Sequence, residues 1–127
     1  MEGVKAMSKT IAEVIAQTQA VRPDIYSDTQ MTEWLSALDG QLSLELLHAE
    51  TPVQYSWPED ANTQLLVPHP YDRLYHLYMI AMIDLYNRET DLYSNDMGLF
   101  NAALQEYRAY YRRTNRPDAD GNWFKTM

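Results

Sequence analysis

The chain has 127 residues, a formal charge of −8 and 46% hydrophobic residues, which suits one domain with a modest core of its own. It has no cysteine, so disulfides, thiolate zinc sites, iron–sulfur clusters and cysteine nucleophiles are excluded together. Four glycines leave no room for a glycine-rich phosphate loop, and the acidic balance argues against wrapping DNA or coating an anionic membrane.

The first residues, MEGVKAMSKT, lack an apolar run of signal-peptide length, and no segment approaches about 18 consecutive apolar residues. The protein is expected to stay where it is made. Thr10-Ile-Ala-Glu13 then reads as a capping box that opens a helix over about 10–20. Ile11, Val14, Ile15 and Thr18 share one face of it, and Arg22-Pro23 ends it. Ser27 caps a second helix over 28–48, with Met31, Trp34, Leu35, Leu38, Leu42 and Leu46 at spacings of three and four. Gly40 lies inside that helix without shifting the apolar phase, so one helix is expected rather than two.

Residues 49–69 contain Pro52, Pro58 and Pro68, which forbid a long helix. Val53 to Trp57 alternates at period two and can pair with Gln64 to Val67, giving an extended or β-hairpin loop. A connection of this length is expected to be a functional, protruding arm that offers Tyr55, Trp57, Glu59 and Asp60 to a partner. Pro70 fits the first turn of a third helix, 70–88. Its predicted buried face is Tyr71, Leu74, Tyr75, Tyr78, Ala81, Met82 and Leu85. Leu77, Ile80 and Ile83 widen the apolar surface, so this helix is expected to be covered on several sides. The fourth helix, 90–115, carries the cleanest stripe: Tyr93, Met97, Phe100, Leu104, Tyr107 and Tyr111. Only about three residues join the last two helices, which makes them antiparallel neighbours.

Pro117 closes the fourth helix and leaves an extended C-terminal tail, 116–127, with Trp123-Phe124 after the turn pair Gly121-Asn122. Two large aromatics without a core of their own need something to pack on. Charge is segregated as well. Residues 1–64 carry a net of −7 and residues 65–107 a net of −4, whereas Arg108, Arg112, Arg113 and Arg116 follow with no acid between them. The bland reading is a complement to the helix C-terminus; the sharper one is a docking patch for an acidic surface. The expected architecture is all-α, a single small bundle of about four helices.

Nothing in the sequence looks catalytic, and no metal or cofactor is expected. Glu45-Leu-Leu-His48 matches one Glu-x-x-His element, whereas di-iron bundles need two. His69, Asp72 and His76 offer zinc ligands near a helix start, but a pairing of Asp72 with His76 one turn later accounts for them more simply.

Leu65-Leu-Val-Pro68-His-Pro70-Tyr71-Asp72, Ile83-Asp84-Leu85-Tyr86-Asn87, Glu89, Tyr93-Ser-Asn95 and Phe100-Asn-Ala-Ala103 form a recognisable set. With Trp34-Leu35, Leu38-Asp39-Gly40, Tyr107, Tyr110-Tyr111 and Arg113-Thr114, it resembles the head–tail adaptor (connector, head-completion) proteins of long-tailed bacteriophages and prophages. The likeness spans about residues 11–114. This chain has Asn87-Arg88-Glu89 where that family commonly has a glycine before the glutamate. The resemblance implies a structural virion protein of the neck, present in the host cytoplasm before assembly and forming a ring, usually of twelve copies, beneath the portal. Such a ring extends the DNA channel, lets DNA pass without specific binding, and joins the head to a stopper or tail-completion protein. No membrane is involved. Trp34, Leu38, Tyr71, Tyr75, Tyr78, Tyr93, Phe100, Tyr107 and Tyr111 would be ring or core packing positions. Arg108, Arg112, Arg113, Arg116, Trp123 and Phe124 would dock on the portal or a neighbour, by analogy with the family's tails. The alternatives are a small acidic helical inhibitor of a basic partner and a metal-dependent enzyme built on the histidines; a DNA-binding regulator fits least.

Overall fold

The computed structural model describes residues 8–23 and 26–115. It contains α1 (Ile11–Val21), α2 (Asp28–Glu45), α3 (Arg73–Tyr86) and α4 (Thr90–Asn115), and no strand among the described residues. The architecture is a small all-α bundle. No helix among these residues is long and apolar enough to cross a membrane.

The capping signals act as the sequence predicts. Thr10 Oγ1 accepts from the Glu13 amide at 3.2 Å while Glu13 Oε1 accepts from the Thr10 amide at 2.9 Å, a complete capping box. Two further free amides of α1, those of Ile11 and Ala12, donate to the carbonyls of Thr63 and Ala61 at 3.1 and 2.9 Å. The start of the first helix is therefore finished by the long connection. Ser27 caps α2 through the Gln30 amide at 3.0 Å. That helix stops at Glu45, three residues earlier than expected, because His48 adopts a left-handed φ of 55° and the chain turns away.

The connection is not a hairpin: extended stretches flank a set of turns at residues 57–62. Its backbone pairs with the segment before α1: Thr10 and Gln64 form an isolated antiparallel bridge, and the Leu65 amide donates to the Lys9 carbonyl at 2.9 Å. Tyr55, Leu65 and Val67 are buried in the common core, with Val53 and Trp57 packed against it. Alternation here reflects one side of an extended segment lying on helices, which buries apolar side chains without a partner strand. Gly40 makes that possible. A Cβ at this position would stand 3.0 Å from the Val53 carbonyl oxygen and 3.5 Å from Pro52. Ser43 holds the same strip in place by accepting the Val53 amide at 3.1 Å.

The third helix begins at Arg73, not at Pro70. Residues 68–72 form a preceding turn in which the Tyr71 amide donates to the Pro68 carbonyl at 2.9 Å. It is the central helix, packing on α1, α2 and α4. Its core face is Leu74, Tyr75, Met79, Met82 and Ile83, whereas Leu85, expected inside, is 42% exposed. Tyr78 and Tyr71 are half-buried, as are Tyr93 and Tyr111 on α4; Trp34, Leu38, Tyr75, Phe100 and Tyr107 are buried as expected.

A Schellman turn joins α3 to α4. The Arg88 amide donates to the Leu85 carbonyl at 3.0 Å and the Glu89 amide to the Asp84 carbonyl at 2.9 Å. Arg88 sits at the left-handed position with φ 62°, where a side chain costs about 1 kcal/mol or more and glycine costs nothing sterically. Arg88→Gly is therefore expected to raise stability by about 0.5 to 1 kcal/mol, read as a higher urea midpoint at unchanged slope. A lower midpoint would show that the arginine side chain contributes more than its backbone costs.

The lengths of the last two helices matter for function. Fourteen residues make α3 about 21 Å long and twenty-six make α4 about 39 Å, at 1.5 Å per residue. They are antiparallel and share the turn at one end, so α4 overruns α3 at the other.

Candidate functional site

The overrunning end of α4 meets the end of α2 and residues 66–68 of the connection. Between them lies a groove of about 250 Å³ whose walls include Leu46, Leu47, Val67, Pro68, Tyr110 and Tyr111. Thr114 and Asn115, at the end of α4, line it too. The tyrosines are ordered by their own contacts. Tyr71 stacks on Tyr110 with centroids 4.7 Å apart and lies 5.7 Å from Tyr107, which lies 6.0 Å from Tyr111. Burial, then the neighbouring Tyr111 and Tyr110, push the Tyr107 hydroxyl up to about 12, so it stays neutral at any physiological pH. At the rim, Arg108 Nη2 donates to Glu45 Oε1 at 2.8 Å and its Nε lies 2.7 Å from Oε2, with Arg112 3.8 Å from the same carboxylate.

Below the groove is a buried carboxylate. Asp39 falls on the inner face of α2, in phase with Leu35, Leu42 and Leu46, and is fully buried. Its Oδ2 accepts from the Tyr55 hydroxyl at 2.5 Å and the Leu66 amide at 3.0 Å, and its Oδ1 from the Tyr75 hydroxyl at 2.6 Å. The Tyr75 hydroxyl in turn accepts the Val67 amide at 2.8 Å. One carboxyl group thus ties α2, the connection and α3 together. Burial raises its pKa despite the opposing pull of Tyr55, Tyr75 and the Leu66 amide. Burial, and then the charge of Asp39, likewise raise both tyrosines. The arrangement is a lock for the groove floor; it has no exposed atom at which to do chemistry.

A second acid site joins the opposite end of the bundle. Arg22, the C-cap of α1, places Nη2 2.8 Å from Oδ1 of Asp84, a carboxylate only 1% exposed. The carboxyl of Asp96 on α4 interacts with that of Asp84, and the two titrate together. Burial raises both carboxyls, but bonds from Arg22 and Asp96 outweigh it at Asp84, whose pKa is lowered. At Asp96, burial and then the bond and charge of Asp84 prevail, lifting it to about 6. Nearby, Tyr26, Trp34 and Tyr86 form an aromatic cluster with centroids 5.2 to 6.0 Å apart.

The residues singled out from the sequence are distributed among these features. Arg108, expected at a docking patch, is paired within the fold with Glu45 of α2 in a two-point ion pair. Arg112 remains 63% exposed, and Arg113 lies over the Tyr110 ring at 6.0 Å. Arg116, Trp123 and Phe124 lie outside the described residues. Tyr55 belongs to the core, so it is not offered to a partner. Asp60 caps a turn by accepting the Ser56 amide at 2.8 Å, while Glu59 is exposed and Trp57 half-buried.

The histidine sets do not converge. Glu45 is the last residue of α2 and faces Arg108, whereas His48 lies beyond the helix in the left-handed turn. Asp72 meets His69 at 3.4 Å and Lys9 at 3.6 Å, in place of the expected pairing with His76. Burial, and then Lys9, lower the pKa of His76. Among the described residues no group of three or more His, Asp or Glu is placed to hold a metal ion.

Comparison with known proteins adds no relative. No family model, no curated protein and no solved structure matches this chain.

Proposed function

We propose that the chain is a structural adaptor of the virion neck in a long-tailed phage or prophage. In this reading about twelve copies form a ring beneath the portal, extend the DNA channel and receive a stopper or tail-completion protein. The protein catalyses no reaction. The observation that carries the reading is that the distant segments bearing the resemblance meet in one packing unit. Asp39, from Leu38-Asp39-Gly40, accepts the Leu66 amide, from the Leu65 to Asp72 segment. Asp84 and Glu89 close the turn that positions Phe100 and Ala103 in the core. The resemblance also implies a small helical bundle, which is the fold of this chain.

The surface supports assembly. Leu92 and Leu99, seven residues apart on one face of α4, are 47% and 54% exposed, and Val21 and Tyr86 are exposed too. Apolar side chains left outward on a chain of charge −8 suit a face covered by a neighbouring copy. An acidic ring would repel the phosphate backbone, so that DNA slides through without sticking. Disrupting the gene in the genome that carries it tests the reading by electron microscopy of the lysate. Filled or leaking heads separate from complete tails are expected, with joining restored by the intact gene in trans. Normal virions in the disrupted strain would overturn it.

A further inference from the structure

We infer that the groove between α2, residues 66–68 and the end of α4 is a docking site for an acidic peptide segment of another protein. One large apolar side chain of that segment sits in the groove, and a neighbouring carboxylate meets the arginines of its rim. The groove is apolar, and Leu47 in its wall is left 48% exposed among the described residues. Beside it, sharing Leu46, Leu47, Tyr111 and Asn115, lies a wider hollow of about 500 Å³ that is also walled by His48 and Arg112. An occupant that fits both is apolar at one point and polar close by.

Size decides between a small ligand and a peptide. At about 250 Å³ the groove is smaller than the roughly 300 to 1,000 Å³ of pockets that enclose a whole ligand. It has room for one anchoring side chain, and the hollow has room for the chain that carries it. The walls are set before anything binds. Tyr71 stacks on Tyr110, Tyr107 lies beside Tyr111, and the Tyr75 hydroxyl holds the Val67 amide. Tyrosines fixed in this way offer contact area at small entropic cost.

Charge decides the sign of the partner. The molecule carries −8, yet Arg108, Arg112 and Arg113 gather at this rim with one carboxylate, Glu45. Arg108 engages both oxygens of that carboxylate, whereas Arg112 reaches it only at 3.8 Å and is 63% exposed. Its guanidinium keeps donors for a second carboxylate. A basic rim on an acidic molecule attracts an acidic segment here and repels it elsewhere, which fixes where it docks. The inference goes beyond the adaptor reading and does not rest on it.

Selection of a yeast-displayed library of random peptides on the immobilised full chain tests it. Enriched peptides are expected to carry Trp, Phe or Leu beside Asp or Glu. A synthetic peptide of the enriched sequence is then titrated by fluorescence anisotropy. Leu47→Glu, at an exposed wall position, is expected to weaken it about tenfold or more, and Arg112→Glu about threefold or more. Lysine in place of the peptide's acids is expected to reverse the preference between Arg112→Glu and the original chain. On the unchanged protein, alanine in place of the peptide's apolar anchor is expected to abolish binding, a readout independent of how the variants fold. No enrichment, enriched peptides that are basic, or equal binding to Leu47→Glu would each overturn the proposal. A dimer of the unmodified chain that Leu47→Glu abolishes would assign the groove to a second copy and overturn it too.

Discussion

Asp39→Ala is expected to cost about 3 to 5 kcal/mol, and so to lower the melting temperature by about 10 to 20 °C. Removing the carboxylate leaves two tyrosine hydroxyls and the Leu66 amide without their acceptor inside the core. Each buried donor left unsatisfied costs on the order of 1 to 3 kcal/mol, against a total stability of only about 5 to 15. Asp39→Asn is milder, because its carbonyl still serves Tyr55 and Leu66 while its amide faces the Tyr75 hydroxyl. Tyr75→Phe should cost about 1.5 to 3 kcal/mol alone and much less on top of Asp39→Ala, since the two share one bond. Urea titrations of the four proteins check this. Additive losses would show that the carboxylate does not act through Tyr75.

Arg22→Gln is expected to cost about 2 to 3 kcal/mol at pH 8 and clearly less at pH 5. Without the guanidinium, the buried Asp84 faces Asp96 with no neutralising charge between the helices. The sign follows from the folded and unfolded pKa values. Asp96 titrates near 6 in the fold against 3.8 ordinarily, so its protonated form is favoured by folding. The stability it confers is complete below about pH 3.8 and is lost as pH rises through 6. Asp84, lowered by Arg22 and Asp96, works oppositely: its contribution is present above 3.8 and is lost as pH falls through its folded value. Removing Arg22 makes the pair harder to ionise, which steepens the loss toward high pH. Asp96→Asn in the same background removes one of the two charges and should restore most of the stability at pH 8. Equal losses at both pH values would contradict the interaction of Arg22 with the two carboxyls.

How much of this was legible depends on the kind of signal. The caps at Thr10 and Ser27 and the stripe from Tyr93 to Tyr111 are local patterns, and the helices follow them to within a few residues. The breadth of apolar surface on α3 likewise foretells its central place. Asp39 was missed, although a signal existed: residue 39 continues the phase of Leu35, Leu42 and Leu46, so an acid there must point inward. What its sequence neighbours do not carry is the identity of its partners, Tyr55 and Tyr75, which lie 16 and 36 residues away. The connection misled for a related reason. Its alternation is genuine, but the groups that satisfy its backbone are a helix start and the Asp39 and Ser43 side chains. The unequal lengths of α3 and α4 are legible in the sequence, but not that the end of α2 and residues 66–68 meet the overrunning end of α4 to wall a groove.

The adaptor reading stands or falls on assembly with a portal. The mass of the purified full chain, alone and mixed with portal from the same genome, is measured by light scattering. The account predicts a portal-dependent gain of about twelve copies per portal ring, absent when portal is omitted at low concentration. A chain that remains a monomer at every concentration, with portal present or absent, would contradict it and favour a small acidic protein that seeks a basic partner.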